Sequence, residues 1–133
     1  MMKKLAVIAL VLTALAPALI AQTATSFTAR WEGTFTRLLP DGKDGSQSAV
    51  VFDLAQKGAA LTGTAGPPDQ QLKIDKGAVK GGKATFEVLT PNGQLFKFTL
   101  MVVKGRLQGD MVGEKDGVVA GRARVDAARA KAK

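Results

Sequence analysis

Short runs in which apolar and polar residues alternate follow one another over most of the chain, from residue 27 to residue 125. A period of two places apolar side chains on one face of a β-strand and polar side chains on the other. No segment in this range has the 3.6-residue period of an amphipathic helix. Turn residues such as Gly81-Gly82 separate the runs and are typical of hairpins. The pattern therefore predicts an all-β domain of consecutive hairpins.

The alternation predicts eight strands, of which the fourth covers about residues 71–80 and the last about residues 118–125. The predicted inward residues are Trp31, Gly33, Phe35, Val50, Phe52, Leu54, Leu61, Gly63, Ala65, Leu72, Ile74, Val79, Ala84, Phe86, Val88, Phe96, Phe98, Leu100, Val102, Leu107, Gly109 and Met111. Gly77 interrupts the fourth run and predicts a β-bulge. Because hairpin signals lie at nearly every junction, an eight-stranded antiparallel up-and-down β-barrel is favoured over a β-sandwich, which needs long crossing connections.

The start of the chain has the composition of a targeting segment. Lys3 and Lys4 precede an almost wholly apolar run over residues 5–20, and the small residue Ala21 follows. This order is typical of a secretory signal peptide. The alternative is a retained membrane anchor, but the run is shorter than the about 20 residues that span a bilayer and contains Pro17. Cleavage is therefore favoured.

The predicted division of the 133 residues is a signal peptide over 1–21, a linker over 22–26, a β-barrel domain over 27–125 and a basic tail over 126–133. No cysteine follows the apolar run to carry a lipid. We expect a secreted bacterial protein, periplasmic or extracellular, with no membrane span after cleavage.

The chain contains no Cys and no His. Without disulfides, the apolar core alone must hold the fold. The commonest general base and the commonest zinc ligands are missing as well. Asp53 and Glu87 are predicted to point outward, whereas the carboxylates of glycosidases face each other across a cleft. We therefore expect no catalytic residue, no metal site, no cofactor and no enzymatic activity.

The formal net charge is +8, and part of the excess lies in the last twelve residues. Basic proteins are candidates for binding polyanions. Lysines beside hairpin turns are also common, however, because they protect strand edges. The basic tail has no aromatic residues on which bases could stack, so we expect no binding to nucleic acid. The tail is the best candidate for weak contact with anionic envelope polymers.

Three segments resemble the opening strands of avidin-like barrels, which belong with the lipocalins and fatty-acid-binding proteins in the calycin group. They are Trp31-Glu32-Gly33-Thr34-Phe35, Val51-Phe52-Asp53-Leu54-Ala55 and Gly58-Ala59-Ala60-Leu61-Thr62-Gly63-Thr64. The whole chain is also similar to small secreted barrels of soil bacteria. Biotin binding is not implied, because the avidin site relies on several tryptophans and a tyrosine, and this chain has one Trp and no Tyr.

The resemblance implies one structural contact. Calycin barrels often pack an arginine of the last strand over the tryptophan of the first strand. Arg122 and Arg124 lie in the predicted last strand, so we expect one of them to stack on Trp31. Such a contact is worth about 0.5–2 kcal/mol and would help to close the barrel.

A barrel of eight strands either fills its interior with side chains or holds one small ligand. The first hypothesis is therefore a binding module for a small apolar ligand. The second is a structural or interaction protein of the cell envelope with a solid core. The candidate ligand-binding residues are the inward aromatics Trp31, Phe35, Phe52, Phe86 and Phe98. Leu38 and Leu39 are candidates for a lid or a permanent plug over one mouth.

Overall fold

The computed structural model describes residues 26–130. Its nine strands are β1 (Ala29–Leu38), β2 (Asp44–Lys57), β3 (Ala60–Gly66), β4 (Leu72–Lys73), β5 (Asp75–Lys80), β6 (Lys83–Leu89), β7 (Gln94–Val103), β8 (Arg106–Lys115) and β9 (Val118–Arg129). The described residues form no helix that could cross a membrane. The predicted signal peptide, residues 22–25 of the predicted linker and residues 131–133 of the predicted tail lie outside the described residues.

All strands belong to one antiparallel sheet, and this sheet closes on itself. From β5 to β9 each strand pairs with the next, β9 pairs with β1, β1 pairs with β2 and β2 pairs with β3. A short pairing of β3 with β5 completes the ring. The last strand meets the first over eight residue pairs, from Trp31 opposite Arg129 to Leu38 opposite Arg122. Closure leaves no long strand edge exposed. The predicted all-β barrel is confirmed.

The predicted fourth strand is divided in two, which accounts for the ninth strand. β4 pairs only with the end of β3, whereas β5 pairs chiefly with β6, and its register shifts between Asp75 and Ala78. This irregularity is the bulge predicted at Gly77. A Cβ atom on Gly77 would lie 2.0 Å from the carbonyl oxygen of Leu61, so a larger residue would push β3 and β5 apart.

The last strand continues past Val125, where the predicted barrel domain ends, as far as Arg129. Alanine has a weak preference for strands, which explains why the pattern did not predict this extension. Opposite it, Gly33 of β1 lets the two backbones approach closely. A Cβ atom on Gly33 would lie 2.4 Å from the Cα atom of Ala127. Residues 126–129 of the predicted tail are therefore part of the barrel.

One apolar core fills much of the lumen. All of the predicted inward residues that carry side chains belong to it or pack against it. At its centre Phe52, Phe86 and Phe98 form an aromatic cluster, with ring centroids 4.9 to 6.2 Å apart. Stacked and edge-to-face rings at such distances add stability beyond the burial of their area.

Candidate functional site

The two ends of the barrel differ. Because the strands run antiparallel, their connections alternate between the ends. One end, here called the sealed end, holds residues 26–28, the end of β9 and the turns that join β2 to β3, β5 to β6 and β7 to β8. The other end, here called the mouth, holds the four remaining connections, at residues 39–43, 67–71, 90–93 and 116–117.

Two large side chains close the sealed end. Phe27 and Trp31 are 2% and 0% exposed. The indole Nε1–H of Trp31 donates to the carbonyl oxygen of Phe27 at 3.0 Å. The backbone N–H of Phe27 in turn donates to Oε1 of Gln56 on β2, also at 3.0 Å. The segment that precedes β1 is thus tied across the end of the barrel, and its buried polar groups have partners.

Arg129 fastens this closure from the last strand. Its Cζ atom lies 4.6 Å from the centroid of the Trp31 ring. Its guanidinium also donates to the carbonyl oxygens of Ser26 at 3.2 Å and Thr28 at 3.5 Å. The cation therefore lies over the indole face and links β9 to the segment before β1.

The predicted arginine partners of Trp31 are wrong. β9 turns its odd-numbered residues between 123 and 127 toward the core, so Arg122 and Arg124 point outward. Arg124 pairs instead with Asp44 at 2.7 Å. Arg129 is odd-numbered, like the inward residues of β9, and it lies directly opposite Trp31. It makes the contact that was predicted for Arg122 or Arg124, because the strand extends further than the pattern indicated.

A cavity of about 410 Å³ opens at the mouth. It is lined by Ala65, Gly66, Pro67, Gln70, Leu72, Val88, Thr90, Pro91, Asn92, Gln94, Phe96 and Phe98. Phe98 also stacks on Phe86, with ring centroids 4.9 Å apart, so the aromatic cluster lies beneath the cavity. Its volume falls in the range of about 300–1,000 Å³ that is usual for small-molecule sites.

The wall of this cavity is mainly apolar. None of the described residues that line it carries a charge, although 23% of the chain is charged. Its polar side chains are neutral amides and a hydroxyl, chiefly those of Gln70, Gln94 and Thr90. Such groups can orient a ligand through hydrogen bonds but cannot compensate a buried charge.

Hydrogen bonds hold both loops beside the cavity in place. Gln71 donates from Nε2 to the carbonyl oxygens of Val51 and Gly66 at 3.1 and 2.9 Å. In the second loop, the backbone N–H of Gln94 donates to Oγ1 of Thr90 at 3.0 Å. These bonds hold both loops in the arrangement that forms the cavity wall.

A smaller cavity of about 60 Å³ adjoins the first and shares Gln94 and Phe96 with it. Phe35 also lines this smaller cavity, as do the basic residues Arg37 and Arg122. A Cβ atom on Gly113 would come within 3.3 Å of the Phe96 ring, so the glycine leaves room for that ring between the two cavities.

The structure separates the aromatic residues that were predicted to bind ligand. Phe98 lines the larger cavity and Phe35 the smaller one. Trp31, Phe52 and Phe86 lie in the core, at most 2% exposed, and line neither. The pattern missed the loop residues and Gln94, although turn residues next to inward aromatics are where the wall of a barrel mouth would be expected.

Leu38 and Leu39 do not cover the cavity. Both line a separate groove, together with Val119 of β9, which shares no lining residue with the mouth cavity, and Leu39 is 47% exposed. A tight turn holds them there, since the backbone N–H of Leu39 donates to the carbonyl oxygen of Lys43 at 2.8 Å. The two leucines are therefore not part of the wall of the mouth cavity.

Neither Asp53 nor Glu87 lines the mouth cavity. Asp53 is exposed, and Glu87 lies 3.6 Å from the Nζ atom of Lys76. Residues 26–130 contain no group of three acidic, His or Cys side chains that could hold a metal ion. No family model matches the sequence, and no curated protein matches it. The mouth cavity has the volume and the apolar lining that are usual for small-molecule sites.

Proposed function

We propose that this chain is an exported, non-enzymatic β-barrel that binds a small, uncharged, mainly apolar molecule in the mouth cavity. The proposal is carried by the asymmetry of the lumen. Core side chains fill the sealed end and the middle, whereas about 410 Å³ stays open at the mouth. An eight-stranded barrel that is only a scaffold would fill this space with side chains.

The lining supports an uncharged ligand. A carboxylate or ammonium group buried against Leu72, Val88 and Phe96 would lose its hydration without gaining a counter-charge, which costs several kcal/mol or more. The cavity has the volume of roughly a dozen water molecules. A compact molecule of about a dozen or more non-hydrogen atoms therefore fits, with one or two polar atoms to meet Gln70 or Gln94.

The fixed loops favour tight binding by a small molecule. Ordering a loop around a ligand costs conformational entropy, and a wall that is already held by hydrogen bonds avoids this cost. Gln71 and Thr90 hold the two loops by hydrogen bonds, and both side chains are uncharged. Release to the periplasm or the medium is part of the proposal, since residues 1–21 have the pattern of a signal peptide.

The experiment is a titration with N-phenyl-1-naphthylamine, an uncharged apolar dye whose emission rises in apolar surroundings. We expect saturable binding to the wild type. Leu72→Trp adds volume to the cavity wall and should weaken the dye affinity roughly tenfold, because it displaces apolar contact area. Gln94→Phe fills the cavity from β7 and should act in the same direction.

The matched control is Leu39→Trp, the same substitution in a groove that shares no lining residue with the mouth cavity, which should leave the dye affinity within about twofold. Urea unfolding of each variant checks that it is folded. If the wild type takes up no dye, or if Leu39→Trp weakens binding as much as Leu72→Trp does, the mouth cavity is not the binding site.

The second candidate function is an interaction protein of the cell envelope, and one observation favours it. Leu89 and Val119 are 59% and 49% exposed and belong to one outer row across β6 to β9, with Leu95 and Glu114 between them. Exposed apolar rows of this kind often mark contact surfaces. Sedimentation of wild type and the Leu89→Lys, Val119→Lys double variant distinguishes self-association from a monomer.

A further inference from the structure

The hairpin turns of the sealed end carry exposed lysines and no acidic residue. Lys57 is the last residue of β2, next to the turn that leads to β3, and Lys104 lies in the turn between β7 and β8. Lys80 and Lys83 flank the turn between β5 and β6. All four side chains are exposed, so three separate hairpins present positive charge at the same end of the barrel.

These lysines are not neutralised within the described part of the chain. None of them forms an ion pair with an acidic side chain of residues 26–130. The neighbouring arginines do find partners: Arg30 lies 2.9 Å from Glu32 and Arg106 lies 2.8 Å from Asp126. The hydrogen bond from Arg106 lowers the pKa of the Asp126 carboxyl, as expected when a charged form is stabilised.

The mouth has a different charge distribution. Its connections mix signs, with Asp41 beside Lys43 and Asp116 beside Lys115. The loop at residues 90–93 carries no charge. The positive potential of the described barrel is therefore concentrated at the end opposite the cavity.

We infer that the sealed end docks on an anionic lipid surface and that the mouth then faces the aqueous phase. Hairpin tips spread around one end of a barrel can approach a flat surface together, whereas a single polymer chain needs a continuous groove. Single-stranded nucleic acid would also need stacking aromatics, and Trp31 at this end is fully buried. Each lysine near an anionic bilayer contributes about fivefold to the partition constant.

The path of the chain agrees with this orientation. Ser26 lies at the sealed end, and residues 21–25 alone separate it from the apolar run over residues 5–20. Five residues extend at most about 18 Å. While a signal segment engages the bilayer, the sealed end is thus the part of the barrel held nearest to the lipid.

The test is co-sedimentation of the full chain with phosphatidylglycerol–phosphatidylcholine vesicles and with phosphatidylcholine vesicles. The test variant is K57Q/K80Q/K83Q/K104Q, and the control variant is K43Q/K73Q/K97Q/K115Q, which changes the net charge equally through lysines outside the sealed end. Both carry residues 1–25, so any contribution of the apolar run cancels. Urea unfolding of both variants checks that they are folded.

We expect the wild type to prefer the anionic vesicles and to dissociate in high salt, which screens exposed charges. The test variant should lose this preference by roughly tenfold or more, and the control variant should lose less than about threefold. Equal losses in both variants would overturn the inference, as would a wild type without lipid preference. Lysine-dependent binding to dextran sulfate without binding to vesicles would assign the surface to acidic polysaccharide instead. None of these outcomes depends on whether the mouth cavity binds the dye, so the docking inference and the proposed function can fail separately.

Discussion

At the scale of single residues, Trp31 is the point at which the first and last strands are joined. Its indole N–H has a partner in the carbonyl oxygen of Phe27, its ring lies under the Arg129 guanidinium, and its side chain is fully buried. Burial of an indole removes a large apolar area from water, and it carries little free-energy penalty when the N–H has a hydrogen-bond partner. The contact therefore combines apolar burial with a charge over a ring.

Replacing Arg129 should loosen this closure. Arg129→Gln removes the cation over the indole and the donors to Ser26 and Thr28, and we expect it to lower the free energy of unfolding by about 1–2 kcal/mol. Urea unfolding followed by the fluorescence of Trp31, the single tryptophan, measures this change.

Arg122→Gln is the control for that substitution. It makes the same chemical change on the same strand, but Arg122 is exposed and lies at the mouth end of β9, opposite Leu38 rather than Trp31, so its effect should stay within about 0.5 kcal/mol. If Arg129→Gln is as stable as Arg122→Gln, the guanidinium does not fasten the sealed end.

The inward side chains could be predicted from the sequence, but the arginine partner of Trp31 could not. The alternation of apolar and polar residues shows which side chains of a strand face the core, so the buried residues could be predicted. Which arginine lies over Trp31 depends on how far β9 extends and on its register with β1. Both involve pairings between residues far apart in the chain, such as that of Gly33 with Ala127, where a side chain on residue 33 would not fit.

At the scale of elements, the contact between β3 and β5 is the weakest part of the ring. The two strands share a single residue pair, Ala60 with Ala78. Two isolated bonds lie beside it, from Ile74 N–H to the Gly63 carbonyl and from Val79 N–H to the Ala59 carbonyl, and Ile74 and Ala59 are just outside the strands. By contrast, β7 and β8 pair over ten residues. A short ladder has fewer bonds to break when it opens locally.

Hydrogen exchange should reveal this difference. We expect the amides of β4 and β5 to exchange by local opening, at free energies about 2 kcal/mol or more below that of global unfolding, while β7 and β8 exchange only with global unfolding. Amide exchange measured by NMR in low concentrations of denaturant separates the two modes. Equal protection of β5 and β8 would contradict a weak contact between β3 and β5.

The hairpins could be predicted because their turns have local chemistry. Lys104-Gly105 and Asp116-Gly117 all have positive φ, between 53° and 79°, as type I′ turns require. The division of the fourth strand could not be predicted, since it depends on β3 ending against the loop at residues 67–71. That loop is held by Gln71 through bonds to other strands, and alternation along one segment contains no sign of them.

At the scale of the whole molecule, closure of the ring could be predicted, but the open end could not. The sequence left open whether the interior is solid or hollow, since the same inward aromatics serve both. Phe27, which precedes the first strand, folds across one end of the lumen. No comparable side chain covers the mouth among the described residues. Such an asymmetry arises from how layers of side chains stack along the axis, which no single strand specifies.

The barrel has one open mouth above a filled core, and NMR mapping tests directly whether ligand enters there. Titration of the ¹⁵N-labelled protein with N-phenyl-1-naphthylamine should shift the amides of Gly66, Leu72, Val88 and Phe96 most, because they belong to the cavity wall. The indole N–H of Trp31 should not move. Shifts centred on that indole, or spread evenly over the outer surface, would show that the dye does not bind in the mouth cavity.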